Sequence, residues 1–225
     1  IARLSTGVRA MYGGDAGGAS AAMQIRADGK SAAIAARNIE DGISFMQAGE
    51  SLLLELAALN TRLRELRVQD LNADTLSAGD EAAIAAEEDA VLAAGNLIDK
   101  AKFNGADLLG GTVAITYDHD GSMTTLSSDA TITLADTSIT VIDATTTDIQ
   151  EALGEMAAGM SALKGHQAAN YALAANFEAA AARIADTDFA RSSANLAKFS
   201  ILNQSAMAMV SQANQAQAAV LAVLQ

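Results

Sequence analysis

Residues 51–66 read SLLLELAALNTRLREL. Within this stretch Leu52, Leu56, Leu59, Leu63 and Leu66 recur at alternating steps of four and three, which lays apolar side chains along one stripe of an α-helix and calls for a facing helix. Upstream the helical pattern extends back to about Ser31, and downstream it runs to Leu71 before breaking over Asn72–Leu76. Ser77 followed three residues later by Asp80 resembles a capping box, so a second helix is expected to about Lys102, with Ile84, Val91 and Ile98 as its buried stripe. A further stripe with the same spacing, Ile149, Leu153, Met156, Met160 and Leu163, predicts a helix from near Asp148 to about Ile184 that can pack on the first.

Composition agrees with long helices. Hydrophobic residues make up 51% of the 225 while aromatics make up 4%, so the apolar content is mostly alanine and leucine, and there is no proline to interrupt a helix. The net charge of -13 argues against nucleic-acid and anionic-membrane partners. No run of 18 apolar residues predicts a membrane span, and no charged-then-apolar leader predicts a signal peptide. Cysteine is absent, which excludes disulfide and thiolate chemistry without deciding the compartment.

Five regions follow. Residues 1–30 are rich in Gly, Ala and Ser; Gly13, Gly14, Gly17 and Gly18 predict a bent connector at the start of a rod. Residues 31–110 form the first helical half of that rod. Between 111 and 147 the period changes to two through Val113, Ile115 and Tyr117 and again through Ile132, Leu134, Ile139 and Val141, which predicts a short β-rich insert with a turn at Asp118–Ser122. Residues 148–189 return as the second half. In residues 190–225 Phe199, Leu202, Ala206, Met209, Ala213, Ala216, Val220 and Val223 alternate by three and four, and the opposite face is neutral, with Gln204, Ser205, Gln212, Asn214, Gln215 and Gln217. Such a helix is poorly suited to standing alone in water. The fold class read from this order is mainly α: an elongated antiparallel helical rod with a β-hairpin insert and a C-terminal coiled-coil helix. Identical rods bury leftover helical surface by lateral repetition, and contacts that do not close give a filament, although a monomeric bundle is also compatible with the periodicity.

At this point the residues resemble bacterial flagellin. Ala36-Arg37-Asn38-Ile39-Glu40-Asp41-Gly42-Ile43-Ser44 is similar to that family's first-helix signature, and Thr61–Gln69 is similar to the outer segment of the same helix. Phe103-Asn104-Gly105 resembles the loop after the second helix. Arg183–Phe189 and Gln212–Gln215 followed by Val220-Leu221 resemble the carboxyl-terminal signature. The resemblance spans nearly all the chain outside 111–147. It implies a structural filament subunit for motility, extracellular, exported unfolded without a cleaved signal peptide, with neither enzymatic activity nor cofactor. Other subunits are the implied partners, with a filament cap, junction proteins and an export chaperone beside them. The assembly residues would be Phe199, Leu202, Met209, Val220, Val223 and Leu224, and the rod core Leu52, Leu56, Leu59, Leu63, Met156 and Leu163.

Two departures from the family accompany these expectations. Ile1–Gly7 matches a stretch that in the family follows an amino-terminal helix, so the chain reads as lacking that helix and is expected to polymerise poorly. Gln217 stands where the family commonly has proline. The resemblance also carries Arg62, Leu66 and Glu87 onto the contact surface for Toll-like receptor 5; read as plain side chains, Arg62 and Glu87 are solvated charges, and both readings stay open. Rival functions are a hook-filament junction protein and a flagellin-like surface receptor for glycans.

Other clusters read more plainly. Asp118, His119 and Asp120 lack EF-hand spacing and read as a hairpin turn, so no metal is expected. Glu87, Glu88 and Asp89 have no nucleophile or histidine partner and read as solvated. Met156, Met160, Met207 and Met209 read as seam-fillers. The Ser/Thr-rich insert could accept O-linked sugars, and an unmodified hairpin is the simpler reading.

Overall fold

A computed structural model describes residues 2–9, 15–127 and 132–223. The chain is mainly α. Helix α1 spans Ala2–Thr6, α2 Ala16–Asp70, α3 Ala78–Ile98, α4 Ile139–Ala185 and α5 Phe189–Val223, with a 3-10 turn at Ala73–Thr75. Four short strands lie between α3 and α4: β1 (Lys102–Phe103) pairs antiparallel with β2 (Ala106–Asp107), and β3 (Thr112–Thr116) with β4 (Met123–Ser127). The chain divides into two compact units, one made of Ile1–Ala27 and Asn176–Gln225, the other of Asp28–Ala175.

In the second unit α2 and α4 run antiparallel, since rising numbers on α2 meet falling numbers on α4. Tyr171 Oη and Gln167 Nε2 donate to Glu40 Oε1 at 2.6 and 3.1 Å, whereas Asn60 Nδ2 donates to Ile142 O and Thr146 Oγ1 at 3.0 and 2.9 Å. Ile39, Met46, Leu53 and Leu56 share one core with Ile149, Ala152, Met156 and Leu163. Two glycines let the partners approach. A Cβ on Gly42 would stand 3.2 Å from both Ile115 and Leu126 of the β3–β4 hairpin, and one on Gly49 would stand 2.7 Å from Met156 Cε, so each glycine is a hole that a neighbouring side chain fills.

The observed stripe keeps Leu56, Leu63 and Leu66 and moves by one residue at two positions. Leu56, Leu63, Met156 and Leu163 are buried, but Leu52 and Leu59 are half-buried, and the fully covered positions beside them are Leu53 and Asn60. The run Leu52-Leu53-Leu54 offers an apolar residue in each direction, and the packing selects the middle one. Asn60 is anchored in the seam through its amide nitrogen, which finds two acceptors, while its Oδ1 is enclosed without a partner.

Local signals at the helix ends explain the remaining boundaries. Asp80 N–H bonds the Ser77 hydroxyl while the Asp80 carboxylate accepts the Ser77 N–H, a complete capping box on α3. Helix α2 begins at Ala16, not near Ser31, so the expected bend does not extend over residues 16–30. Asp15 accepts the Gly18 N–H at 2.9 Å, and alanines 16, 19, 21 and 22 surround the two glycines, whose helical cost is roughly 1 kcal/mol each. Gly13 and Gly14 lie outside the described residues.

The insert is a hairpin of ten paired residues and not a β-rich stretch to 147. Ile139 and Val141, read as strand, open α4, and Ile132 and Leu134 are buried at 2% each without pairing in a sheet. Leu134 reaches α3 at Gly95, where an added Cβ would meet Leu134 Cδ1 within 2.4 Å. Thr145, Thr146 and Thr147 each turn their hydroxyl back to the carbonyl four residues earlier, so these β-branched residues satisfy themselves inside the helix. The turn lies at Asp118–Ser122 as expected: Tyr117 N–H bonds Ser122 O at 3.0 Å, and Gly121 takes φ +84°, a conformation that suits glycine.

Candidate interaction surface

Helix α5 is capped by Asp188, whose carboxylate accepts the Arg191 N–H at 3.0 Å. Beyond Lys198 no residue carries a charge. Phe199 is 65% exposed, Leu202 52%, Met209 71% and Val220 60%. Ile201, Met207 and Val210 are also exposed and lie off that stripe, so apolar side chains face solvent on more than one side of the helix. Val223 ends the helix, and its side chain, like all of Leu224, lies outside the described residues. Each large apolar side chain that moves from solvent to full burial contributes about 1.5–3 kcal/mol. A helix with this many therefore has a strong drive to be covered. Because the exposure runs round the helix, one flat partner on one side cannot satisfy it.

The second group expected from sequence is built differently. Arg62 Nε and Nη2 donate to Glu87 Oε1 at 2.9 and 2.6 Å, and Arg62 Nη1 reaches Glu65 Oε2 at 3.0 Å, so α2 and α3 are clipped together by an exposed ion cluster. The hydrogen bond to Glu87, then that to Glu65, raises the Arg62 pKa still further. Leu66 is not part of this outer surface. It is buried at 1%, a correction to the expectation that it lines a contact face with Arg62: one turn on from Arg62, its side chain points inward with Leu63.

Glu88 is the second correction. The sequence suggests a solvated carboxylate beside Glu87 and Asp89, yet Glu88 is 7% exposed and its Oε1 is enclosed without a hydrogen-bond partner. The spacing Ile84, Glu88, Val91, Gly95, Ile98 puts it on the inner stripe of α3. Burial pushes its pKa up, opposed by the nearby Arg67. That stripe was visible in the sequence through Ile84, Val91 and Ile98, and counting the positions between them would have found the carboxylate.

Asp118, His119 and Asp120 are, among the described residues, the one group whose ligand atoms cluster, all within 4.8 Å of one another. The two carboxylates address different ring nitrogens: Asp118 Oδ1 lies 2.6 Å from His119 Nδ1 and Asp120 Oδ1 3.5 Å from Nε2. Their hydrogen bond lowers the Asp118 pKa and raises that of His119, as expected of an ion cluster stabilising a hairpin turn. Of the methionines, Met156 is buried in the seam and Met160 half-buried, whereas Met207 and Met209 are exposed on α5. Among the described residues no helix is long and apolar enough to cross a membrane.

Two family profiles match the chain. The bacterial flagellin N-terminal helical region matches residues 1–114, and the bacterial flagellin C-terminal helical region matches residues 139–224. A flagellin of Halalkalibacterium halodurans is 31% identical over 245 residues, covering 99% of this chain and 89% of that protein. Flagellin FlaB2 of Treponema pallidum is 29% identical over 260 residues, covering 100% and 91%. A flagellin of Bacillus subtilis is 28% identical over 268 residues, covering 95% and 88%.

Proposed function

The chain belongs to the bacterial flagellin family, structural subunits of the extracellular flagellar filament, and we propose that α5 is the helix through which this subunit binds its neighbours. The observation that carries the proposal is the exposure of Phe199, Leu202, Met209 and Val220 on a helix with no charge after Lys198. Val223 extends the same spacing, and Leu224 follows it directly. No catalytic role belongs to this reading. Its test is Leu202→Asp with Met209→Asp, expressed as the filament subunit of a bacterium deleted for its own. The expected result is a secreted subunit with the parent's helical content that assembles less than the parent does, the two compared side by side by electron microscopy and sedimentation; assembly equal to the parent's would reject α5 as the assembly helix. The same reading includes passage out of the cell without a cleaved signal peptide and transient contacts with a cap, junction proteins and an export chaperone. An intact mass of the secreted subunit equal to its full translated length tests the first of these.

A second proposal rests on the exposed Arg62–Glu87 pair: these two residues form part of a surface recognised by Toll-like receptor 5. Purified protein applied to receptor-bearing reporter cells should give a response that Arg62→Ala diminishes. A parent protein that elicits none ends the idea.

A further inference from the structure

Helices α4 and α5 are separated by Asp186, Thr187 and Asp188, and nothing in those residues obliges a helix to stop. There is no proline or glycine, and aspartate and threonine are only mildly unfavourable in a helix interior. The hydrogen bonds at the junction supply a different cause. In a continuous helix the amide of Thr187 would bond Arg183 O, while Ile184 O and Ala185 O would accept from Asp188 and Phe189. All three bonds are diverted to the segment Gly7–Arg9. Thr187 N–H donates to Gly7 O at 2.8 Å, Arg9 N–H donates to Ala185 O at 2.7 Å, and Arg9 Nε donates to Ile184 O at 3.2 Å. Val8 and Asp186 form the antiparallel bridge between them.

We infer that the break between α4 and α5 is imposed by Arg9, which occupies the two carbonyls that the next helical turn would use. Arg9 is thus a positioning residue that fixes where α5 begins. Its surroundings hold it to the task. Arg9 Nη2 lies 2.6 Å from Asp15 Oδ2, which ties the segment to the start of α2, and Arg26 reaches Glu178 and Asp186 at 3.6 and 3.5 Å from the same helix. Gly7, at φ +72°, carries the chain from the end of α1 into the bridge, with the Phe189 ring 3.8 Å from where its Cβ would stand. Released from Arg9, residues 139–223 would have the bonding of one unbroken helix, so the junction is an element with two discrete arrangements.

This inference concerns the isolated subunit and stands apart from the role of α5 in assembly. It is tested in the whole chain with Arg9→Pro, which removes the backbone donor and distorts the segment, by 13Cα shifts of Asp186–Asp188 and by amide exchange of Asp188 and Phe189. The expected result is a move of those shifts to helical values with slower exchange at both amides, while Arg9→Lys, which retains the N–H to Ala185 O and loses the Nε donor to Ile184 O, shows a smaller move in the same direction. Shifts that stay non-helical, or that turn coil-like on both sides of the junction, overturn the inference. Asp188→Ala provides a second arm, because it removes the cap of α5 and leaves Arg9 in place. The break should survive it; fusion of the two helices by Asp188→Ala alone would assign the break to the cap instead.

Discussion

Helices α2 and α5 carry apolar stripes of the same period and meet opposite fates. On α2 the positions Ile39, Met46, Leu53, Leu56 and Leu63 are all within 2% of complete burial, whereas on α5 Phe199, Leu202, Met209 and Val220 are more than half exposed. The difference lies in the rest of each helix. Around its stripe α2 sets Arg62, Arg64 and Arg67, which pair with Glu87, Asp143 and Asp70, so charged groups share its outer faces with the exposed Leu54 and Val68. The region of α5 past Lys198 has glutamine, asparagine, serine and alanine there instead, interrupted by Ile201, Met207 and Val210. Periodicity states that a stripe will be covered; the chemistry of the remaining faces states whether the cover comes from the same chain. A flagellin needs both kinds, one to hold the subunit and one to join it to others.

The strongest way to break this contrast is to truncate side chains in the seam that covers the α2 stripe, Leu56 on α2 and Met156 on the facing α4, and one on the α5 stripe. Met156→Ala opens a cavity against Gly49 and Leu56→Ala removes a side chain at 0% exposure, so each should lower the unfolding free energy by about 2–5 kcal/mol in urea titrations of the monomer. Leu202→Ala should shift the same free energy by no more than about 0.5 kcal/mol and act on filament growth alone. Equal losses from the two stripes would mean that α5 is covered within the subunit in solution, and the distinction would fall.

A smaller effect is expected where the α2 stripe departs from apolar chemistry. Asn60→Ala leaves Ile142 O and Thr146 Oγ1 bonded to each other but without the amide that now bonds both, a loss of about 0.5–1.5 kcal/mol. The damage should centre on the first turns of α4, so hydrogen exchange there should speed up more than at Leu163. Uniform acceleration along α4 would show that Asn60 acts as general packing and not as a register-fixing contact.

What could be read from the sequence follows the same line. The four long helices and their order, though not where α2 and α4 begin, together with the capping box at Ser77 and the hairpin turn at Asp118–Ser122, were legible because each rests on contacts between near neighbours. The choice between Leu52 and Leu53 was not, since three consecutive leucines satisfy the repeat in three directions and only the facing helix selects one. Ile139 and Val141 read as strand because β-branched residues favour it locally; packing of Ile142 and Ile149 against α2 outweighs that preference. The apolar stripe of α5 was legible, and so was its lack of charge. Leu66 and Glu88 went astray for one reason: residues of the outer Arg62–Glu87 cluster have neighbours in sequence that face inward, and a motif quoted as a string of letters does not carry a direction.

Glu88 tests that last distinction at the level of a single side chain. Its neighbour Glu87 pairs with Arg62 at the surface, whereas Glu88 sits on the inner stripe of α3 with Oε1 enclosed and its pKa raised by burial. An unfolded chain exposes the same carboxyl to water at its ordinary pKa, so between the two values the folded state binds more protons than the unfolded one. The Glu88 contribution to stability is therefore fully present below the unfolded pKa and is lost as pH rises through the folded value. Glu88→Gln keeps the shape and removes the charge, so the variant should match the parent in acid and exceed it at neutral pH, by the smallest margin of the three predictions. Urea midpoints measured for both proteins from pH 4 to 8 would show curves that diverge as pH rises. Parallel curves would mean that Glu88 is hydrated in solution and that α3 presents both of its adjacent glutamates to water.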